Sequence, residues 1–235
     1  MKVSIAIPAY TDAKGEGAKN LAVLLYSIKN QDHSDIEIIV SDHSTGVDLI
    51  EDLCTRESKH LNIIYNRYDK NKGYWGANVN NAIKLCSGEL IKFMQQDDYF
   101  SNNSSISHIV GIYLKENFDW AICGGIHTQD YKTFYHRIIP KWTEDLHTGN
   151  NKLGGVSSIV TKNTSDKLRF EVKLNWMGDC DYYIRSFKRY GLPTIIEHSG
   201  IVYKQWAGQL TNTISDTQKQ QEVAYVTNKY SVPYS

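Results

Sequence analysis

Leu90-Ile91-Lys92-Phe93-Met94-Gln95-Gln96-Asp97-Asp98 is an apolar run that stops abruptly in a polar turn. Read as a buried strand, it delivers two amides and two adjacent carboxylates to one strand end. The residues before it repeat the same logic. Val3-Ser4-Ile5-Ala6-Ile7-Pro8 reads as a buried strand ended by proline, and a polar, glycine-containing loop follows over residues 10–17. Leu21, Leu24, Leu25 and Ile28 recur at helical spacing, which predicts a helix over residues 19–30. Residues 36–40 form a second apolar run, stopping at Ser41-Asp42-His43-Ser44, a turn able to cap a helix at about residues 46–57. A third strand at 61–65, a loop with Asn71, Gly73 and Gly76, and a helix at about 77–86 lead back to residue 90. Beyond the carboxylates, the pattern predicts a helix at about 104–115 and a strand at 118–123 that enters Gly124-Gly125.

Strands alternating with helices over short connections predict an α/β fold: a mainly parallel sheet flanked by helices on both faces. Ligands of such sheets bind beyond the carboxyl ends of the strands. The densest polar clusters fall there: Pro8, Tyr10 and Asp12 after the first strand, Asp42 to Ser44 after the second, and Gln95, Gln96, Asp97 and Asp98 after the fourth. The second half is less regular. Residues 131–139 suit a small antiparallel element, 141–158 are loop-rich, and a helix at about 179–189, a strand at 194–204 and a polar helix at 215–229 follow. The simplest organisation is a single domain over residues 1–235, with a nucleotide-binding half at 1–125 and an acceptor-binding, catalytic half at 126–235.

Twenty-six basic residues against 26 acidic ones give no net charge, so a strongly basic nucleic-acid binder is disfavoured. Cys54, Cys86, Cys123 and Cys180 are irregularly spaced with no CxxC, which suits buried thiols in a reducing compartment rather than a disulfide framework or zinc site. No run approaches the roughly 20 apolar residues that cross a bilayer, and the first ten residues read as a core strand rather than a signal peptide. These features predict a cytoplasmic protein and leave open a peripheral contact with a membrane surface.

Carboxylate oxygens at a strand end suit a hard divalent cation bound jointly with phosphates, while two adjacent aspartates elsewhere are commonly a helix cap in a solvated turn. Asp42 can accept hydrogen bonds from a nucleotide base or cap its following helix, and Asp12 reads mainly as a solvated loop residue. Asp181 reads as a solvated helix face, Arg185 as a partner for an acidic residue, and Lys204 as a phosphate contact or a structural lysine. Trp142, Trp176, Trp206, Tyr131, Tyr135 and Tyr203 cluster in the second half, where aromatic faces suit sugar rings or core packing equally well.

Taken in order, these stretches resemble the family 2 glycosyltransferases with the GT-A fold. The resemblance is carried by residues 3–10, by 38–44, by Gly73, Ala77, Asn78, Asn80, Asn81, Ala82, Ile83 and Gly88-Glu89, by 93–98, and by 178–185. It implies a nucleotide diphosphate sugar as donor, UDP-linked by preference, and Mn²⁺ or Mg²⁺ near Asp97 and Asp98. It also implies a glycan or lipid-linked acceptor hydroxyl, and inversion with Asp179 as general base. Asp42 then matches the residue that binds the base of the nucleotide, while Pro8, Tyr10, Asp12, Gln95, Gln96 and Asp97 lie against the donor. Four positions depart from the family pattern. Gln95 replaces the first aspartate of an Asp-x-Asp-Asp run, Gly178 replaces a glutamate, Trp206 stands where histidine is common, and His43 where an acidic or small polar residue is usual. Such departures leave two alternatives: a non-catalytic carbohydrate-binding or scaffold protein with a decayed site, and a nucleotidyltransferase. The latter would want a basic, glycine-rich loop after the first strand, and residues 8–17 do not supply one convincingly.

Overall fold

The computed structural model describes residues 1–231. The expected alternation is present as β1 (Val3–Ala9), α1 (Glu16–Lys29), β2 (Ile36–Asp42), α2 (Leu49–Glu57), β3 (Ile63–Arg67), α3 (Trp75–Leu85) and β4 (Leu90–Phe93). After these come β5 (Tyr99–Phe100), α4 (Ser105–Glu116), β6 (Trp120–Thr128), β7 (Phe134–Ile138) and β8 (Ile159–Lys162). The chain then continues through α5 (Gly178–Tyr190), β9 (Thr194–Lys204), α6 (Leu210–Thr213) and α7 (Asp216–Ser231). All strands join one sheet in the order β3-β2-β1-β4-β8-β6-β9-β5, with β7 paired onto β6. β3, β2, β1 and β4 are mutually parallel. β8 lies antiparallel between β4 and β6, so β6 runs the same way as β4, and β9 is parallel to β6. This is the GT-A architecture: a mainly parallel sheet with an antiparallel minority.

The core explains why β1 is apolar along its whole length. Ile5 and Ile7 face a cluster that holds Leu21, Leu24, Ile50 and Ile106 of α1, α2 and α4. Ala6 points the other way, into a cluster with Val79, Ile83, Tyr182 and Val226 of α3, α5 and α7. A strand covered on both faces cannot alternate apolar with polar. Pro8 is tolerated in this central strand because pairing of β1 with β4 has already ended at Ala6 opposite Phe93. All four cysteines are buried and none is in a disulfide. Among the described residues, no helix is long and apolar enough to cross a membrane.

α1 begins at Glu16, three residues earlier than the apolar spacing predicts, because Gly15 takes a left-handed φ of 75° and turns the chain into the helix. Gly17 then sits so close to the end of β1 that an added Cβ would lie 2.0 Å from the Tyr10 carbonyl oxygen. β5 and β8 are not apparent from the sequence. Asp181, expected on a solvated face, is fully buried. Its Oδ1 accepts from Lys229 Nζ and from the Tyr230 hydroxyl, both at 2.7 Å, and its Oδ2 accepts from Arg185 Nε at 2.7 Å. The spacing gave no sign of this, because Lys229 and Tyr230 lie some fifty residues away.

α7 also grips the chain just before α5. Glu222, buried on α7, accepts the backbone N–H groups of Asn175 at 3.1 Å, Trp176 at 2.7 Å and Met177 at 3.0 Å. Glu222→Ala would leave these donors without partners, at about 1–3 kcal/mol for a buried unmatched donor. Thermal unfolding should therefore fall by several degrees, at about 2–4 °C per kcal/mol for a chain of this size, with Glu222→Gln intermediate. A melting curve superimposable on wild type would show that the loop holds itself.

Candidate active site

A cleft of about 370 Å³ lies beyond the end of β4, and its walls bring together Gln95, Asp97, Asp98 and Asp179 from stretches eighty residues apart. The first three are placed by the way β4 ends. The Met94 N–H still bonds to the Ala6 carbonyl at 3.0 Å, after which the chain leaves the sheet and closes a turn from the Asp98 N–H to the Gln95 carbonyl at 3.1 Å. A 3-10 turn, Val156–Ser158, braces it from below: Ser157 Oγ accepts the Gln95 N–H at 2.8 Å, and the buried Lys92 ammonium donates to the Ser157 carbonyl. From above, the Trp75 indole donates to Gln95 Oε1 at 3.2 Å. Gln96 ties this turn to the end of β1, because its amide exchanges two 2.8 Å hydrogen bonds with the backbone of Tyr10.

Asp97 Oδ2 accepts from the Trp206 indole at 2.8 Å and from Gln209 Nε2 at 3.3 Å. Asp98 Oδ1 accepts the Lys204 N–H at 3.1 Å. Burial raises the pKa of both carboxyls, and the charge of Asp97 pushes Asp98 up further. Among the described residues neither carboxylate is in an ion pair, although twelve such pairs occur elsewhere. Lys92 acts on Asp98 only from a distance, outside ion-pair range, so two desolvated carboxylates with no cation in contact form a donor set that suits a hard divalent ion. No group of three or more acidic, histidine or cysteine side chains gathers among the described residues. The protein thus offers one or two ligands and leaves the rest of the coordination shell to phosphate oxygens and water, as is usual for Mg²⁺ in phosphate sites.

Asp179 faces this pair from the first turn of α5, whose N-cap is Met177, so it does not serve as the cap. Its Oδ1 accepts the Cys180 N–H at 2.7 Å and its Oδ2 accepts Asn151 Nδ2 at 2.9 Å. Burial raises its pKa to about 6, against the lowering effect of those two bonds. A carboxylate in that range is ionised at neutral pH yet basic enough to take a proton. Asn151 and Trp75 are not singled out by the sequence. Each matters through a contact with a residue farther along the chain, and neither stands in a motif.

Pro8, Tyr10, Asp12, Asp42, His43 and Lys204 lie outside the cleft walls. Asp42 is fully buried. Its Oδ1 accepts the Ser44 N–H at 2.8 Å, and its Oδ2 accepts the Tyr65 hydroxyl at 2.9 Å and lies 3.4 Å from Arg67 Nε. His43 stacks on Tyr68 at 5.4 Å, and burial lowers its pKa. Pro8 is buried in the sheet, Tyr10 is exposed, and Asp12 accepts the Lys14 N–H at 3.0 Å in its own turn. Lys204 donates to the Gln129 carbonyl and lies over the Tyr131 ring, so it is a structural lysine here. Of the aromatic residues, Trp176 and Tyr203 line the cleft, Trp206 holds Asp97, and Trp142 packs on Phe187 and Trp120.

The profile of Glycosyl transferase family 2 matches residues 4–189 of the chain. A poly(ribitol-phosphate) beta-glucosyltransferase of Bacillus spizizenii is 32% identical over 106 residues, which is 44% of this chain and 16% of that protein. The chain therefore spans about a sixth of the length of this curated relative. S. aureus TarS 1-349, solved in complex with UDP-GlcNAc, superposes with a TM-score of 0.69 at 15% identity, over 99% of this chain and 68% of that one. The mannosyltransferase PcManGT of Pyrobaculum calidifontis, solved with GDP-Man and Mn²⁺, gives a TM-score of 0.69 at 12% identity, over 100% of this chain and 65% of that one. At such identities these two likenesses concern the fold.

Proposed function

The chain belongs to glycosyl transferase family 2, and from that premise we propose that it moves a sugar from a nucleotide diphosphate donor to a glycan hydroxyl with inversion, Asp179 acting as general base. Family membership speaks against the nucleotidyltransferase alternative, and the presence of Asp97, Asp98 and Asp179 together in one cleft favours an active transferase over a decayed site. The observation that carries the finer reading is the cleft itself. It sets a carboxylate pair with no direct ion-pair partner, Asp97 and Asp98, in one cleft with a lone carboxylate raised to about 6, Asp179. The two sides suit opposite tasks, one facing a leaving diphosphate and the other an attacking hydroxyl.

In this reading Asp179 accepts the acceptor's O–H proton as the acceptor oxygen forms its bond to the anomeric carbon. The bond from that carbon to the diphosphate oxygen breaks at the same time, and the nucleotide diphosphate leaves with the electron pair. Asn151 and the Cys180 N–H keep the carboxylate aimed. Asp97 and Asp98 would hold Mn²⁺ or Mg²⁺, which when bound offsets the charge growing on the diphosphate. Gln95, fixed by Trp75, presents an amide to the donor. Gln96 and the backbone of Tyr10 shape the adjoining wall, with Pro8 and Asp12 setting the end of β1 behind them. Asp42 acts from behind the nucleotide, locking Tyr65, Arg67 and the 42–44 turn in place. UDP is the favoured nucleotide, supported by the family resemblance and by the UDP-GlcNAc complex of the TarS relative. The residues 1–125 then serve the donor, and 126–235 the acceptor and the base. A cytoplasmic location, with contact at a membrane surface for a lipid-linked acceptor, completes the proposal.

The test is slow hydrolysis of a panel of UDP-, dTDP- and GDP-sugars, with and without Mn²⁺ or Mg²⁺. One donor hydrolysed, and faster with the metal, is the expected result. A folded protein that binds and hydrolyses none of them would sink the proposal.

A further inference from the structure

β7 is an edge strand with large apolar side chains turned outward: Phe134 is 46% and Tyr135 40% exposed. It is continuous with the cleft, because Ile138 of β7 and His127 of its partner β6 both line it. Three rings step inward along that continuity. Tyr135 stacks on His127 with centroids 6.1 Å apart and planes 25° apart, and His127 lies 5.3 Å from Tyr203 at 31°. Tyr203 is itself a buried cleft wall.

The backbone is distorted to make this stair. The β6–β7 register slips between Gly125 and His127, so that Gly125 pairs with Ile138 but His127 with Tyr135. His136, inside the slip, takes a φ of 48°, in the left-handed region that a histidine seldom occupies. The His127 Nδ1 and the His136 carbonyl, 3.0 Å apart, hold the bulge closed. Bulges of this kind re-aim a side chain, and they concentrate beside functional sites. Here the bulge sets Tyr135 opposite His127 while the residue stays 40% exposed.

We propose that this stair is the acceptor entrance: a pyranose unit of the glycan acceptor stacks on Tyr135 and is led past His127 toward Asp179. The inference rests on the transferase reading above and adds the acceptor's chemistry to it. A pyranose has an apolar face that matches an aromatic ring and a rim of hydroxyls. His127 and His136, whose rings lie 5.4 Å apart, stand at the stair as hydrogen-bonding partners for that rim. A lipid surface would also suit exposed aromatic side chains beside basic ones, but it would not need a ring sequence that runs into the cleft.

Binding of cellotetraose, maltotetraose and chitotetraose at millimolar concentration, followed by saturation-transfer NMR, tests this directly. Stacking tolerates many sugars, so at least one tetrasaccharide should bind the wild-type protein saturably. Tyr135→Ala should weaken it about tenfold, the upper end for loss of one aromatic contact. Tyr135→Phe, which keeps the ring, should bind within about threefold of wild type. Tyr26→Ala removes a residue of α1 that is 70% exposed, and it should change nothing. Circular dichroism of each variant confirms that it is folded. The inference is overturned if no tetrasaccharide binds, or if Tyr135→Ala binds like wild type, including the case in which it loses only binding to phosphatidylglycerol vesicles. UDP-sugar hydrolysis by the same wild-type sample separates the two levels. Hydrolysis without saccharide binding sinks the stair alone, and no hydrolysis of any donor sinks the transferase reading beneath it.

Discussion

Asp179→Asn should remove transfer while leaving the fold intact, with turnover falling about 10²- to 10⁴-fold, the range for loss of a general base. The asparagine keeps an oxygen for the Cys180 N–H and has nearly the same shape, so the first turn of α5 stays closed, while its amide nitrogen gives up the bond accepted from Asn151. It cannot accept a proton. The sign on stability also follows from the environment. Burial raises the folded pKa of Asp179 to about 6, above the 3.8 of a free aspartate side chain. The ionised side chain is therefore an unfavourable contribution to folding above that pH, relieved as pH falls through it. The neutral variant, freed of the buried charge but short of the Asn151 bond, should melt close to wild type at pH 7. The same pKa sets the pH profile: wild-type turnover should decline on the acid side with a midpoint near 6, as Asp179 takes up its proton. Wild-type-like rates in the variant would remove Asp179 from the chemistry, and an acid limb near pH 4 would contradict the raised pKa.

Asp97→Asn should pair a large kinetic loss with a gain in stability. Removing one of two carboxylates that share a half-buried turn takes away their mutual repulsion. The asparagine oxygen can still accept from Trp206 and Gln209. Thermal unfolding without metal should therefore move up. Turnover should fall about 10²- to 10³-fold, as when several kcal/mol of charge stabilisation at the leaving group are lost. Its acceleration by Mn²⁺ should disappear with it. The informative measurement is the metal dependence of the melting curve. Added Mn²⁺ should raise the wild-type midpoint, through ligand binding to the folded state, and leave the variant unmoved. Equal responses would place the ion elsewhere.

The parallel half of the fold was legible because each strand there is buried on both faces and each crossover is a short amphipathic helix. Periodicity reports both directly. β8 was not legible: its four residues sit in a loop-rich stretch and become a strand only because β4 and β6 leave a gap between them. β5 is two residues long and owes its pairing to β9. Within the site, Asp97, Asp98 and Asp179 could be named because strand ends and helix starts are visible in sequence. The partners that fix them could not. Trp206 reaches Asp97 across 109 positions, and Asn151 reaches Asp179 across a loop with no periodic signal. Asp181 shows the same blindness from the other side. Two residues past the expected base it read as a solvent-facing acid, and it is the buried anchor of the last described helix.

That anchor has a consequence in time. Chains emerge from the ribosome from the amino end, at about 5–20 residues per second, and form structure as they go. The sheet that receives the nucleotide in this proposal is made first. The groups that fasten α5, namely Glu222, Lys229 and Tyr230, are made among the last of those described. A nascent chain thus lays down the parallel strands β1 to β4 well before Asp179 is aimed. The ability to break the donor bond would arrive only when the growing protein has wound its α7 against the rest.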